Sequence, residues 1–111
     1  MEVIDGIKLS DGIETGGISI REAVKLINQW NEFAAERNLP RITKLTKERY
    51  VNICRRFEDP AFIFEDILVA IDEQPMLLGQ NRRQWKVNFD YLTRDPKNKS
   101  TYVKVLERGF I

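Results

Sequence analysis

Basic side chains beside a tryptophan are the residues of this chain best suited to contact nucleic acid. Arg82, Arg83 and Lys86 flank Trp85, which places cations that can neutralise phosphates next to a ring that can stack on an unpaired base. Alternatively, Trp85 packs in the core, as a tryptophan at helical spacing from Phe89 usually does, and the cations are merely solvated. The sequence leaves the role of the ring open and predicts that Arg82, Arg83 and Lys86 bind DNA.

A second basic set lies within residues 41–56, which hold six lysines and arginines against one acidic residue. Projected at 100° per residue, Arg49, Arg55 and Arg56 fall opposite the apolar stripe of a predicted helix, on its solvent side. Such a face can follow a phosphate backbone, which positions a protein without reading sequence. It can equally be the solubilising face of an ordinary domain. We predict these three arginines as further DNA-binding residues.

Residues 57–74 contain six acidic side chains and no basic one. Two pairs of carboxylates, Glu65 with Asp66 and Asp72 with Glu73, are seven residues apart, which is about 10.5 Å along a helix. Two-metal sites hold their ions about 4 Å apart, so no metal site is predicted. The acidic line favours a docking surface for a basic protein partner instead. Its predicted contacts are Phe62, Glu65, Val69 and Asp72.

The composition excludes several classes of protein. None of the 111 residues is histidine, and Cys54 is the one cysteine. Zinc fingers, histidine-assisted nucleophiles and disulfide frameworks therefore lack their residues. Without a glycine-rich phosphate loop either, we expect no enzyme and no cofactor. No apolar run reaches the roughly 18 residues of a membrane helix, and the acidic N-terminus is unlike a signal peptide, so we expect a cytoplasmic protein that does not enter a membrane.

The net charge of +1 is an average over segregated blocks. The acidic residues 57–74 separate the basic residues 41–56 from residues 75–111, which hold eight basic side chains against three acidic ones. The sign of the local charge decides which partner a surface attracts, so DNA and a basic protein are both candidate partners.

Helices are predicted to position these residues. Ser19 and Glu22 form a capping box, and apolar residues recur at three- and four-residue steps from Ile20 until Pro40 ends the first helix near Asn38. Thr46 is the predicted N-cap of a second helix.

Further helices are predicted towards the C-terminus. Asp59 and Pro60 are the predicted start of a third helix, which Pro75 ends. A short helix carrying the aromatic side chains of residues 85–92 follows, and Ser100 is the predicted cap of a last one. We therefore predict an all-α fold, a compact bundle of three main helices plus one or two short C-terminal helices. Residues 1–17, with four glycines and no sustained periodicity, are predicted as a flexible tail or linker, and residues 18–111 as a single helical domain.

Three sets of residues in fixed order give the chain a resemblance to known proteins. The first is a tryptophan-bearing helix followed by a basic Leu-Thr-led helix, here Trp30 and then Leu45–Arg49. The second is a Pro-x-Leu-x-Gly turn running to a basic tryptophan segment, here Pro75–Lys86. The third is a Phe-Asp-aromatic-Leu element with a terminal Lys-Val-Leu-Glu, here Phe89–Leu92 and Lys104–Glu107.

On these residues, the stretch from Leu45 to Phe110 resembles the C-terminal domain of phage and prophage replication proteins of the replisome-organiser or helicase-loader type. It departs from that pattern at Gln84, where the family usually has glycine, and after Glu107, where the family usually closes on Glu-Gly-x-Tyr. The resemblance implies a non-enzymatic accessory domain in the initiation of phage DNA replication. Binding of DNA is the first hypothesis. The alternative is an adaptor that docks to a replicative helicase or its loader through the acidic third helix.

Overall fold

Helices form most of the regular structure in the computed structural model, which describes residues 2–94 and 101–110. In chain order the helices of this part are α1 (Ile20–Arg37), α2 (Lys47–Phe57), α3 (Phe64–Asp72), α4 (Phe89–Thr93) and α5 (Thr101–Leu106). A 3-10 turn at Pro75–Leu77 follows α3. The strands are β1 (Val3–Ile4), β2 (Ile7–Leu9) and β3 (Lys44–Leu45).

The first two helices begin where the sequence predicts. The Ser19 hydroxyl accepts the amide of Glu22 at 3.1 Å and caps α1, which ends at Asn38 in the left-handed conformation with φ 55°. The hydroxyl of Thr46 accepts the amide of Arg49 at 3.1 Å and caps α2 in the same way. Both capping predictions are confirmed, because a cap depends on side chains that are close in sequence.

The third helix starts later than predicted. The carboxylate of Asp59 accepts the amide two residues on at 2.9 Å, so the Asp-Pro pair makes a turn instead of a helix start. This turn sends the side chain of Phe62 inwards, where its ring meets that of Tyr102 edge-on at 5.0 Å. Helical geometry begins only at Phe64, after Ile63 at the N-cap position.

The all-α prediction is wrong in one respect, because a small mixed sheet of order β1-β2-β3 accompanies the helices. β1 and β2 pair antiparallel around a turn in which Asp5 and Gly6 have φ of 47° and 82°. β2 runs parallel to β3, with Lys8 opposite Lys44. The mostly helical globule therefore carries a sheet that the periodicity of the sequence does not indicate.

Part of the predicted N-terminal tail belongs to this sheet. Ile7 and Leu9 are 3% and 5% exposed and lie in the hydrophobic core, while Lys8 between them is exposed. The amide of Lys8 donates to the carbonyl of Thr43 at 3.0 Å. Residues 3–9 thus form β1, β2 and the turn between them, and β2 pairs with a distant part of the chain. For the rest of residues 1–17, the flexible tail stays a prediction.

Trp30 lies at the centre of the core and joins α1 to α4. Its side chain is wholly buried, and its indole N–H donates to the carbonyl of Pro40 at 2.9 Å, as a buried tryptophan requires. The rings of Phe33 and Phe89 pack against it at 5.9 and 6.2 Å. Because Phe89 begins α4, this contact helps to fix the position of Arg94, the residue after this helix.

The C-terminal helices are confirmed with shifted bounds. α4 starts at Phe89, capped by Asn88, whose side chain accepts the amide of Tyr91 at 2.8 Å. Trp85 precedes this helix, although the sequence placed it inside. α5 is the predicted last helix, and its predicted cap Ser100 lies outside the described residues.

Candidate nucleic-acid interface

A shallow groove of about 490 Å³ runs along the outer face of α2. Residues eight apart on one helix lie two turns apart on nearly the same face, which places Lys47 and Arg55 at the two ends of the groove with Val51 between them. The remaining lining comes from Glu48, Asn52 and Arg94. Three cations therefore surround one carboxylate, and the local field is positive.

Arg94 reaches this groove from the end of α4. Its guanidinium lies 5.0 Å from the ring centroid of Tyr91, a cation–π contact that orients it. Tyr91 in turn meets Trp85 edge-on at 5.4 Å. Burial raises the pKa of the Tyr91 hydroxyl, and the charge of Arg94 opposes that shift only in part. The phenol therefore stays neutral at physiological pH and adds no negative charge beside the groove.

Arg49 does not line this groove and instead forms a partly exposed ion pair with Asp90. Its guanidinium donates to both carboxylate oxygens of Asp90 at 3.0 Å and to the carbonyl of Lys44 at 3.0 Å. A bidentate pair of this kind fixes a geometry, and here it ties α2 to α4. These contacts use three of the five N–H donors of the guanidinium and leave fewer for the predicted binding to phosphate.

Arg56 is buried, and the prediction that it faces solvent is wrong. The residue is 7% exposed, and its guanidinium lies 5.9 Å from the ring centroid of Tyr102 in α5. The helical projection counts only the apolar stripe of α2 itself. The C-terminal part of the chain returns over the last turn of this helix and covers a side that the projection assigned to water. Among the predicted arginines of α2, the exposed one is Arg55.

The basic tryptophan segment forms a turn that one asparagine organises. The side chain of Asn81 accepts the amides of Arg83 and Trp85 at 3.1 and 3.0 Å and donates to the carbonyl of Trp85 at 2.7 Å. Arg82 and Arg83 are exposed on this turn. The ammonium of Lys86 donates a hydrogen bond of 3.0 Å to the backbone carbonyl of Asn38, the residue that follows α1. This bond helps to hold the turn against the end of α1.

Trp85 itself is half-buried in an aromatic cluster. Its ring stacks on Phe110 with centroids 6.3 Å apart, and Tyr91 meets both rings. The ring therefore packs against the core, and its stacking on an unpaired base stays a prediction.

The predicted partner-binding residues do not form one line. Phe62 is buried, whereas Glu65 is exposed and accepts a hydrogen bond from Gln29 at 3.3 Å. Asp72 is held by the guanidinium of Arg37 through contacts of 2.5 and 2.6 Å, which raise the pKa of that arginine. Val69 is 56% exposed. Both ends of the acidic helix therefore contact α1, Glu65 through Gln29 and Asp72 through Arg37.

No protein-family model, no curated protein and no solved structure matches this chain.

Within residues 2–94 and 101–110, no group of three or more acidic or cysteine side chains is placed to hold a metal ion. No helix in the same ranges is long and apolar enough to cross a membrane.

Two of the three basic residues that line the groove were not predicted from the sequence, for different reasons. Lys47 shares the row of Val51 and Arg55 at steps of four residues, so helical spacing alone was sufficient to include it. Arg94 comes from a segment 39 positions beyond Arg55, and no local pattern connects the two. Their meeting depends on the packing of α4 against α2.

Proposed function

We propose that this protein is a non-enzymatic accessory domain of phage DNA replication initiation that binds DNA through the groove on α2. The observation that carries the proposal is the convergence of Lys47, Arg55 and Arg94 from two separate segments on one open surface. Cations that gather on one face give the electrostatic footprint of a phosphate-binding surface.

The size of the groove supports a contact with a nucleic-acid backbone. Lys47 and Arg55 are eight residues apart, which is about 12 Å along the helix axis. One strand of B-DNA rises 3.4 Å per nucleotide along the duplex axis, so about 12 Å of α2 lying parallel to that axis corresponds to about three to four nucleotide steps. Arg94 at the side supplies a third charge. Such contacts position a protein on DNA without reading bases.

The assignment to replication rests on the resemblance of the stretch from Leu45 to Phe110 to phage replication proteins. The assignment as non-enzymatic rests on composition, because the chain has no histidine to act as a base. Arg82 and Arg83 extend the proposed surface, since they sit on the turn whose Trp85 contacts Tyr91 and through it Arg94.

Fluorescence anisotropy with labelled single- and double-stranded oligonucleotides, in a salt series, tests this proposal. We expect log affinity to fall linearly with log salt, with a slope near −0.9 per phosphate for duplex and −0.7 for single strands. Lys47→Ala with Arg55→Ala should weaken binding at every sequence and make the slope shallower by about 1 per lost contact.

Arg41→Ala is the matched control. Arg41 is exposed but lines a separate depression between the sheet and α1, so its loss should leave affinity unchanged. Absence of binding at low salt would overturn the proposal. The groove variant removes two positive charges and the control one, so an equal loss per removed charge would show that only net charge matters, and would remove the groove as the site.

A further inference from the structure

Two large apolar side chains at the junction of α2 and α3 are exposed and line the same groove. Phe57 is 44% exposed and Ile63 is 48% exposed. Both border a groove of about 470 Å³ that lies between the first half of α1 and the start of α3. Leu26, Phe62 and Phe64 form its floor, and these three are buried. Exposed apolar surface continuous with a groove is typical of interaction sites.

Ile63 occupies a position that the folding of the isolated domain does not favour. It is the N-cap of α3, where serine, aspartate and asparagine are strongly preferred and isoleucine is disfavoured. Its side chain makes no capping hydrogen bond, and half of it is in water. Neither helix capping nor core packing accounts for this residue, whereas burial against a partner would.

The rim of the groove is acidic. Glu22 and Glu65 line it against the single cation Lys25. Their exposed neighbours Glu58 and Asp66 add negative charge next to Phe57 and at the first turn of α3. In the part of the chain that the structure describes, none of these four carboxylates is ion-paired with a basic side chain.

The other acidic residues of this region are already occupied. Asp72 is bound by Arg37, and Glu73 by Arg108 at 2.9 Å. In the described part of the chain, carboxylates that no basic side chain pairs are therefore concentrated near the start of α3, around the exposed apolar pair.

We propose that this groove binds a basic amphipathic helix of a protein partner. Glu22, Leu26 and Gln29 repeat at i, i+4 and i+7 and span about 10.5 Å, which matches two turns of a docked helix. Apolar anchors of that helix fill the space between Phe57 and Ile63, and lysines or arginines on its flanks meet the carboxylates of the rim. This is the helix-in-groove mode of recognition. The site is separate from the DNA-binding groove and does not depend on it.

The probe for this site is a synthetic amphipathic peptide with leucine on one face of its helix and lysine on the other. Its length is roughly 18 residues, because shorter isolated peptides form little helix in water. A peptide of the same pattern with glutamate in place of every lysine is its charge-reversed control. Isothermal titration calorimetry should show saturable one-to-one binding of the lysine peptide and none of the glutamate peptide. Ile63→Ser and Glu65→Lys should each weaken binding at least tenfold.

Val69→Ser is the matched control variant, because Val69 is a similarly exposed aliphatic residue on α3 that does not line the groove. Its binding should equal that of the unaltered protein. Equal binding of both peptides, no binding, or a loss on Val69→Ser without one on Ile63→Ser would overturn the proposal. Concentration-dependent dimerisation that Ile63→Ser abolishes, seen by sedimentation velocity, would overturn it too, because a second copy would then cover the groove. DNA binding should be the same for unaltered protein and Ile63→Ser, which keeps the two proposals distinguishable.

Discussion

The side-chain amide of Gln74 donates a hydrogen bond to the carbonyl of Val105 at 2.8 Å, and so fastens α5 to the end of α3. Gln74 is fully buried, and all its polar atoms are used. It also donates to the carbonyl of Ala70 at 3.0 Å and accepts the amide of Phe110 at 2.9 Å. One side chain thus joins the end of α3 to α5 and to Phe110, and it supplies the hydrogen-bond acceptor for the buried amide of Phe110.

Gln74→Leu should therefore destabilise the protein strongly. It leaves the buried amide of Phe110 without its partner, at about 1–3 kcal/mol, whereas the carbonyl of Val105 keeps the amide of Arg108 as a donor. We expect a loss of roughly 1–3 kcal/mol in the free energy of unfolding, measured by urea denaturation. Gln80→Leu is the control, since Gln80 is exposed and its replacement should change stability by less than about 0.5 kcal/mol. A similar stability for both variants would contradict a structural role for Gln74.

Substitutions of Arg49 and Arg55 should have different effects, one on the stability of the protein and the other on DNA binding. Arg49→Ala removes the bidentate pair with Asp90 and should lower the free energy of unfolding by about 1 kcal/mol, a modest value because both side chains are partly exposed. A double-mutant cycle with Asp90→Ala should show most of that loss as coupling between the two residues. Arg55→Ala should instead leave stability within about 0.5 kcal/mol and weaken DNA binding. Weaker DNA binding by Arg49→Ala at unchanged stability would contradict this division.

The helices were predictable because their signals are local. The hydroxyl of Ser19 accepts an amide three residues further on, and that of Thr46 does the same. Both helix starts therefore depend on a few adjacent residues. The charges of α2 behaved differently. Arg49 is held by a residue 41 positions away, and Arg56 is covered by the ring of Tyr102. A projection of one helix contains no information on such contacts, so it assigned both arginines to solvent.

The sheet was missed although part of its signal is present. Asp5-Gly6 between two short apolar segments is a hairpin pattern, and both residues have the positive φ that such a turn requires. The strands are only two or three residues long, which is too short for alternation to be recognised. Their stability depends on pairing between Lys8 and Lys44, and the sequence between those residues gives no sign of that register.

Tyr50 should make stability depend on pH in the alkaline range. Its hydroxyl donates to the carbonyl of Ile18 at 2.5 Å and accepts the amide of Gly16 at 3.2 Å, which joins α2 to the segment before α1. Burial raises the pKa of Tyr50 above its ordinary value of 10.0. The unfolded chain therefore releases this proton at lower pH than the folded protein does. The stabilisation is complete below about pH 10 and is lost as the pH rises through the folded pKa.

Urea denaturation at intervals between about pH 8 and pH 11 measures this effect. Tyr50→Phe should cost about 1 kcal/mol at neutral pH through the lost hydrogen bonds, and its stability should fall less steeply above pH 10. Tyr91→Phe is the comparison variant, because burial also raises the pKa of Tyr91. Its stability should likewise fall less steeply above pH 10 than that of the unaltered protein. Identical pH profiles for the unaltered protein and Tyr50→Phe would show that the Tyr50 hydroxyl does not contribute.

Ile63 should show opposite effects on stability and on partner binding. Ile63→Ser supplies the N-cap acceptor that α3 lacks, and should raise the free energy of unfolding by about 0.5–1 kcal/mol. The same change removes an apolar anchor of the proposed docking groove and should weaken binding of the basic peptide. Ile63→Ala separates the two causes, since it removes the anchor without providing a cap and should weaken binding with no gain in stability. Loss of stability in Ile63→Ser would mean that Ile63 serves the fold. A gain in stability together with lost binding is the outcome expected of a residue retained for a partner.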